Sequence, residues 1–362
     1  MHGTPETIRY NSRQNQNSNR AIQPDFRPCV WDPTYASKIP ARDNQPMKTR
    51  YTWLAALLIT FVAATSSFAV DPANGKHKVL FLAGSPSHGY AAHDHLAGCM
   101  LLKKSLDESG LPIESHVYHY NWPTDPKLFD NVDCVVMYGD GGDGHMVIPH
   151  LAELDALAKK GVGIVCLHYA TEVPKGPAGE KFLDWIGGYF EPSWSVNPTW
   201  LAKYETLPKH PVTNGVKPFT IEDEWYYHMR FRDGMKGVTP ILTALPPAET
   251  LNRPDDPHAG NPDVRKAIAN KEVQHMAWAT ERDDGGRGFG FTGAHVHWNW
   301  ANPDFRKLVL NAIVWCAKVD VPEGGVHDKP KTMTEMLANH DEPEPPNFKS
   351  EEIQKKFNIP SE

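Results

Sequence analysis

The apolar run at 162–167, inside Gly161-Val-Gly-Ile-Val-Cys-Leu-His168, is short, flanked by glycine and shows no polar alternation. Such a run suits a strand covered on both faces of a parallel sheet. The segment before it, 151–161, spaces Leu151, Leu154 and Ala158 on one helical face and ends in two lysines and a glycine, which reads as a helix closed by a tight turn. Upstream, 76–84 is a first strand, and 93–109 is a helix with Leu96, Met100, Leu102 and Leu106 inward. Segments 113–118 and 133–138 are further strands, so the first half reads β-α-β-β-α-β, with an irregular stretch between its second and third strands. The expected fold is α/β: an open, mostly parallel, flavodoxin-like sheet with helices on both faces.

The second half is less regular. Residues 171–197 are crowded with Pro, Gly and Trp and predict a loop with a short helix at about 180–185, a lid or a binding wall. A turn-rich connector at 209–215 leads to Ile221-Glu-Asp-Glu224-Trp-Tyr-Tyr-His228. Strands are expected at 239–245, 274–280 and 288–293, with the proline-rich, polar stretch 246–271 as an exposed excursion. Asn302 caps a closing helix whose first turn holds Pro303 and whose inner face is Phe305, Leu308, Ala312 and Trp315. The charged tail 321–362 is expected to be loosely ordered or draped over the domain.

The chain has 362 residues, 40% hydrophobic and 22% charged, which bounds it to one sizeable domain with appendages. A net charge of -7 without a basic block disfavours nucleic acid and anionic membranes as partners and leaves small neutral ligands open. Oligomeric state is not legible. Met47-Lys-Thr-Arg50, the apolar stretch 51–64 and the small residues Ser67 and Ala69 compose a secretory signal over 47–69, cut after Ala69. The apolar stretch is short for a membrane span, so the mature protein is expected in the periplasm or secreted, with no stable span after cleavage. Residues 1–46 are polar and read as a misassigned start or a disordered extension. Cys99, Cys134, Cys166 and Cys316 remain after cleavage; without a C-x-x-C pair they read as small core residues.

Candidate chemistry gathers where strands end. Loops leaving the strands at 76–84, 133–138 and 162–167 carry His88, Asp140 and His168, and in a parallel sheet those loops share one crevice. By position alone His168 is as compatible with a core histidine as with a reactive one. The glycines of 139–144 read as a plain turn or a phosphate-cradling nest; with no G-x-G-x-x-G opening a helix and no P-loop, no nucleotide is expected. Glu224 and His228, four apart, share a side in a helix or in a strand; the alternative is an acidic turn before an aromatic core patch. His295 and His297 form an H-x-H pair, a spacing found in metal sites, though no third ligand is near in sequence. Trp298 and Trp300 alternate to the other side, as a sugar-stacking platform or as interior.

Ser87-His88, the Gly161 to His168 strand, His210-Pro-Val-Thr, Asp223-Glu224-Trp-Tyr, Gly286-Arg-Gly-Phe-Gly-Phe-Thr-Gly-Ala-His295, Asn302-Pro-Asp-Phe and Ala312-Ile-Val-Trp315 together resemble the trehalose-utilisation (ThuA-like) family. That resemblance implies a domain over 76–320 with the fold of class I glutamine amidotransferases, and a place in disaccharide and keto-sugar catabolism. Where an amidotransferase has its Gly-x-Cys-x-Gly elbow, this chain has His168, with Cys166 two residues early, so glutaminase chemistry is not expected. Gly-Ala-His295 replaces the family's usual Leu-Gly-His. The expected function is an exported enzyme acting on a small carbohydrate. His168 is its general base, Glu224 its orienting or acid group, and His295 a second base or oxyanion stabiliser. His88, Asp140, His228, His297 and Trp298 are expected to bind substrate. A divalent metal held by some of these histidines and Glu224 is an alternative use of the set, and a non-catalytic carbohydrate-binding or scaffold protein is the alternative function.

Overall fold

The strands at 77–83, 132–138 and 163–167 are largely apolar on both sides and are covered on both, whereas that at 113–119, at the edge of the sheet, is only partly buried. The computed structural model describes residues 75–361; the segment 1–46 and the signal at 47–69 lie outside the described residues. In chain order the elements are β1 (His77–Ala83), α1 (His95–Glu108), β2 (Ile113–His119), β3 (Val132–Tyr138), α2 (Leu151–Ala158), β4 (Gly163–Leu167), α3 (Pro177–Ile186), β5 (Gly188–Tyr189), β6 (Thr199–Tyr204), β7 (Phe219–Glu224), β8 (Arg230–Phe231), β9 (Val238–Ala244), α4 (Pro262–Ala269), β10 (Gln274–Glu281), β11 (Arg287–Phe291), α5 (Pro303–Cys316), α6 (Met333–Met336) and α7 (Ser350–Phe357).

The central sheet runs β2-β1-β3-β4-β11-β10-β9. β2, β1, β3, β4 and β11 are mutually parallel, and β10 runs against both of its neighbours. The parallel part therefore has the flavodoxin-like order. Successive side chains divide between two cores. Phe81, Val136 and Val165 face α1, α5 and the β6–β7 hairpin, whereas Leu82, Val135 and Ile164 face α2 and α3. The connection from β1 thus leads to one face and that from β3 to the other, which opens a crevice at their carboxyl ends. Cys99, Cys134, Cys166 and Cys316 are free and buried, and burial pushes the Cys99 and Cys166 thiols up, as inert core cysteines require.

Three segments differ from expectation. The stretch 246–271 is not simply an exposed excursion: Asn261 accepts from the Val264 amide to cap α4, which buries Val264, Ala267 and Ile268. Residues 171–197 form less a lid than a layer, because α3 begins at Pro177, ends at a left-handed Gly187 and buries Phe182, Trp185 and Ile186 against the sheet. The strand β6, which follows that segment, was not expected; its burial alternates strictly between exposed and buried, as one covered face demands.

The tail is draped, and firmly. Val326, Met333, Met336 and Ile359 join the core of the α1–α5 face. Arg306, on α5 and 1% exposed, donates to Asp328 and to the Trp300 and Lys329 carbonyls, while Lys331 donates to the same Asp328 at 2.8 Å. Removing one partner of a buried ionic group leaves uncompensated charge and costs about 3–5 kcal/mol. Arg306→Ala is therefore expected to lower the unfolding free energy by about that amount, read from urea denaturation of the full chain. A midpoint equal to that of the unmodified protein contradicts this account of the tail.

Candidate functional site

β4 ends in a sharp turn at which His168 adopts φ 55°, and the loop after β1 brings in His93 at φ 52°. Left-handed backbone costs an L-residue about 1–2 kcal/mol, so the surrounding packing has to enforce both. His168 is fully buried. Its Nδ1 lies 2.8 Å from the carbonyl of Thr292, just past β11, and its Nε2 lies 2.9 Å from Nε2 of His93. His93 Nδ1 is 3.0 Å from Oδ1 of Asp140, which leaves β3 and also accepts from the Ser87 hydroxyl at 2.9 Å. The approach of these loops needs glycine: a Cβ on Gly84 would come within 2.6 Å of the Gly139 Cα.

β7 contributes the opposite wall. Glu224 Oε2 is 3.5 Å from His168 Nε2 and 3.1 Å from His295 Nδ1, and the Tyr226 hydroxyl is 3.1 Å from His168 Nε2. The contact between Glu224 and His295 is close but off-line, and Nδ1 of His295 is left without a well-directed hydrogen bond. As neighbours on an extended chain, Asp223 and Glu224 point to opposite sides. Asp223 turns inward, where it accepts from the amides of Ala294 (2.7 Å), His295 (3.1 Å), Val296 (3.2 Å) and Glu224 (2.8 Å) and from Asn299 (3.0 Å). That carboxylate fixes the loop carrying His295.

Electrostatics sort the imidazoles. Burial, with His93 and His295 adding to it, holds His168 well below the usual histidine range, and burial takes His95 down to about 4. Burial also pulls on His295, but the Glu224 carboxylate outweighs it and raises the pKa. Asp140 is pushed up by burial yet ends lower than usual, because His93 and Ser87 bond to its charged form.

The family model for trehalose utilisation, ThuA, matches residues 78–316. This chain belongs to the ThuA family. No curated protein matches it. Among solved structures it is similar to a ThuA-like protein from Bacteroides uniformis, with 15% identity over 70% of this chain and 94% of that one and a TM-score of 0.47. A second, from Parabacteroides merdae, has 15% identity, 71% and 93% coverage and a TM-score of 0.45. A glutamine amidotransferase from Thermotoga maritima has 8% identity, 67% and 98% coverage and a TM-score of 0.37. In this ThuA-family chain Cys166 faces the α2–α3 core, away from the crevice. It cannot serve as an amidotransferase nucleophile.

Of the residues expected in the site, the structure brings together His168, Glu224, His295 and Asp140, with His88 at the exposed rim, its ring 3.6 Å from that of His93. It places His228, His297 and Trp298 elsewhere. The four-residue spacing of Glu224 and His228 fails because β7 ends at Glu224. His228 then stacks on Trp194 at 4.2 Å and bonds the Trp194 carbonyl through Nδ1 at 2.9 Å. The chain likewise leaves extended geometry after Val296, where a short 3-10 turn begins. His297, fully buried, bonds the Met336 carbonyl at 2.9 Å, and Trp298 packs between Tyr90 and Phe348 beneath the tail. Trp300 is interior as well, so neither tryptophan is a sugar platform. The glycines of 139–144 form a plain turn, in which the Gly142 amide is spent on the Glu172 carbonyl.

Sequence reasoning missed His93 and Tyr226. His93 was read as the start of a helix; its companion carboxylate, Asp140, lies 47 residues away and gave no local signal. Tyr226 stood in an aromatic cluster that reads as core.

Because Asp223 satisfies three consecutive amides, its loss orphans buried donors at about 1–3 kcal/mol each. Asp223→Ala is expected to destabilise the fold by at least about 3 kcal/mol and to broaden or shift the His295 ring resonances in NMR spectra. Unaltered His295 signals would show that the loop is held by something else.

Proposed function

We propose that this ThuA-family protein is exported, as its 47–69 segment suggests, and acts on a small carbohydrate, a disaccharide or keto-sugar glycoside. Its chemistry is proton transfer at the cluster of His168, Glu224 and His295. The observation that carries the reading is convergence: side chains from the loops after β1, β3, β4 and β11 and from the last residue of β7 meet at one carboxyl edge of the sheet, with their imidazoles and carboxylates in contact.

Glu224 and His295 are the partly exposed members, 18% and 25% by side chain, and so they are the groups a sugar can reach. His295, with its proton affinity raised by Glu224, delivers a proton to a glycosidic or carbonyl oxygen, and the carboxylate steadies the imidazolium. His168 is too deeply buried to touch substrate directly. Its Nδ1–H is committed to a carbonyl, which leaves Nε2 as an acceptor, and it accepts protons through Tyr226 or Glu224. Its role is thus a relay and an anchor rather than the frontal base the sequence suggested. A retaining glycosidase would pair Glu224 with Asp140 as its second carboxylate, but Asp140 is already engaged by His93 and Ser87. Burial of Trp298 and Trp300 weakens the alternative of a stacking-based binding protein.

The test is product formation from ordinary and keto-disaccharides, followed by chromatography and mass spectrometry. His295→Gln is expected to lower kcat by about 10²–10⁴-fold while leaving Tm nearly unchanged, and Glu224→Gln to do the same. Absence of product from every sugar, or full turnover in His295→Gln, overturns the proposal.

A further inference from the structure

The tautomers at the bottom of the crevice conflict with the distances. A carbonyl oxygen only accepts, so Nδ1 of His168, 2.8 Å from the Thr292 carbonyl, carries its proton. An ionised carboxylate only accepts too, so Nδ1 of His93, 3.0 Å from Asp140, carries its proton. A neutral imidazole has one N–H. Both Nε2 atoms are then bare lone pairs, and they face each other at 2.9 Å inside a site where neither ring meets bulk water. Two lone pairs at that distance repel unless a cation lies between or beside them.

A proton is one such cation. On His168 it places charge where burial opposes it; at the nitrogen pair itself stand the neutral Tyr226 hydroxyl, 3.1 Å from His168 Nε2, and the Glu224 carboxylate at 3.5 Å, while Asp140 contacts only the far nitrogen of His93. A metal ion suits the surroundings better. One ligand atom each from His93, His168, Glu224 and His295 lies within 4.8 Å of every other. Three of their six separations are 2.9, 3.5 and 3.1 Å and the others lie within 4.8 Å, around the edges of roughly 3.3–3.4 Å of a tetrahedron with ligand bonds of about 2.0–2.1 Å. His295 Nδ1, which lacks a well-directed hydrogen bond, is at the fourth corner. Each buried imidazole donates its other N–H to an oxygen, the outer-shell arrangement that orients metal-bound histidines.

We propose that His93, His168, His295 and Glu224 bind one divalent first-row transition ion, with zinc the best match to three imidazoles and one carboxylate in tetrahedral array. The exposed side, toward His88, leaves room for a fifth ligand. A sugar oxygen placed there would be polarised by the ion, which supplies in the loaded protein the positive charge that the His295 proton supplies in its absence. Only this last role rests on the carbohydrate reading; the binding does not.

The experiment takes the full chain, strips it with a chelator, and titrates it with Zn²⁺ or Co²⁺. Bound metal is counted by elemental analysis and the Co²⁺ coordination is read from its visible absorption. One equivalent is expected, with the intense absorption of a tetrahedral nitrogen and oxygen site. His93→Ala and His168→Gln are expected to lose at least 100-fold in affinity, and Asp140→Asn, acting from the outer shell, about 10–100-fold. His228→Gln, which lies outside the site, should bind as the parent does. Failure to retain metal above background, or equal retention by His93→Ala and the parent, overturns the proposal. Where a variant fails to fold, which its far-ultraviolet circular dichroism shows, Asp140→Asn and the Co²⁺ spectrum of the parent decide. One bound equivalent without sugar turnover supports the metal site and counts against the carbohydrate reading; turnover by protein that takes up no metal does the reverse.

Discussion

The bond between His168 Nδ1 and the Thr292 carbonyl is the constraint on which the site depends. As a neutral hydrogen bond its net worth is only about 1 kcal/mol, yet it decides which nitrogen of a buried ring is bare. It also ties the end of β4 to the end of β11, parallel neighbours in the sheet, so the strand register sets the ring's position. With His168 oriented, the lone pair points at His93, Glu224 and Tyr226. If Nδ1 were the bare atom, it would face the carbonyl oxygen and the cluster would come apart.

This arrangement runs against the usual economics of folding. Two non-glycine residues sit at positive φ within the cluster, several imidazoles are stripped of water, and Asp223 is buried with its pKa pushed up despite five hydrogen bonds. An aliphatic core at the same edge would be cheaper on each count. It is this concentration of strain and desolvated polar groups at the mouth of a sheet on which the proposed proton chemistry rests. His145 is the contrast within the same chain. It too is buried and has its pKa lowered to about 4, but the Ala170 carbonyl and the Val147 amide satisfy both nitrogens, and it serves only to hold a turn.

What could be read in advance follows from the persistence of regular structure. The unpatterned apolar runs of β1, β3 and β4 named a covered parallel sheet, and the rule that parallel strands deliver their loops to one edge placed His88, Asp140 and His168 there. Within β7 the alternation also held, sending Asp223 and Glu224 to opposite sides. Periodicity arguments failed beyond the ends of elements: His228 lies four residues past the end of β7, and His297 opens a 3-10 turn. For the tail, loose order and draping were both open, and it is draped; what decides between them is that Asp328 and Lys331 are buried with Arg306 of α5 as their partner, a pairing that composition cannot reveal.

The buried tail bears on how the crevice is built. His297 and Trp298, which an extended chain would have presented to substrate, are covered by Met336, His340 and Phe348 instead. His340 bonds Asp94, the residue between His93 and the start of α1, at 2.8 Å. The tail therefore braces the backbone of a candidate ligand from behind, two positions from His95 and across from the 295–298 turn. Because the amide of His93 also bonds the His295 carbonyl at 3.2 Å, one layer of packing holds both the β1 and the β11 sides of the cluster. A site whose chemistry depends on contacts of about 3 Å needs that kind of support, and here it comes from a segment whose sequence advertised only charge and proline.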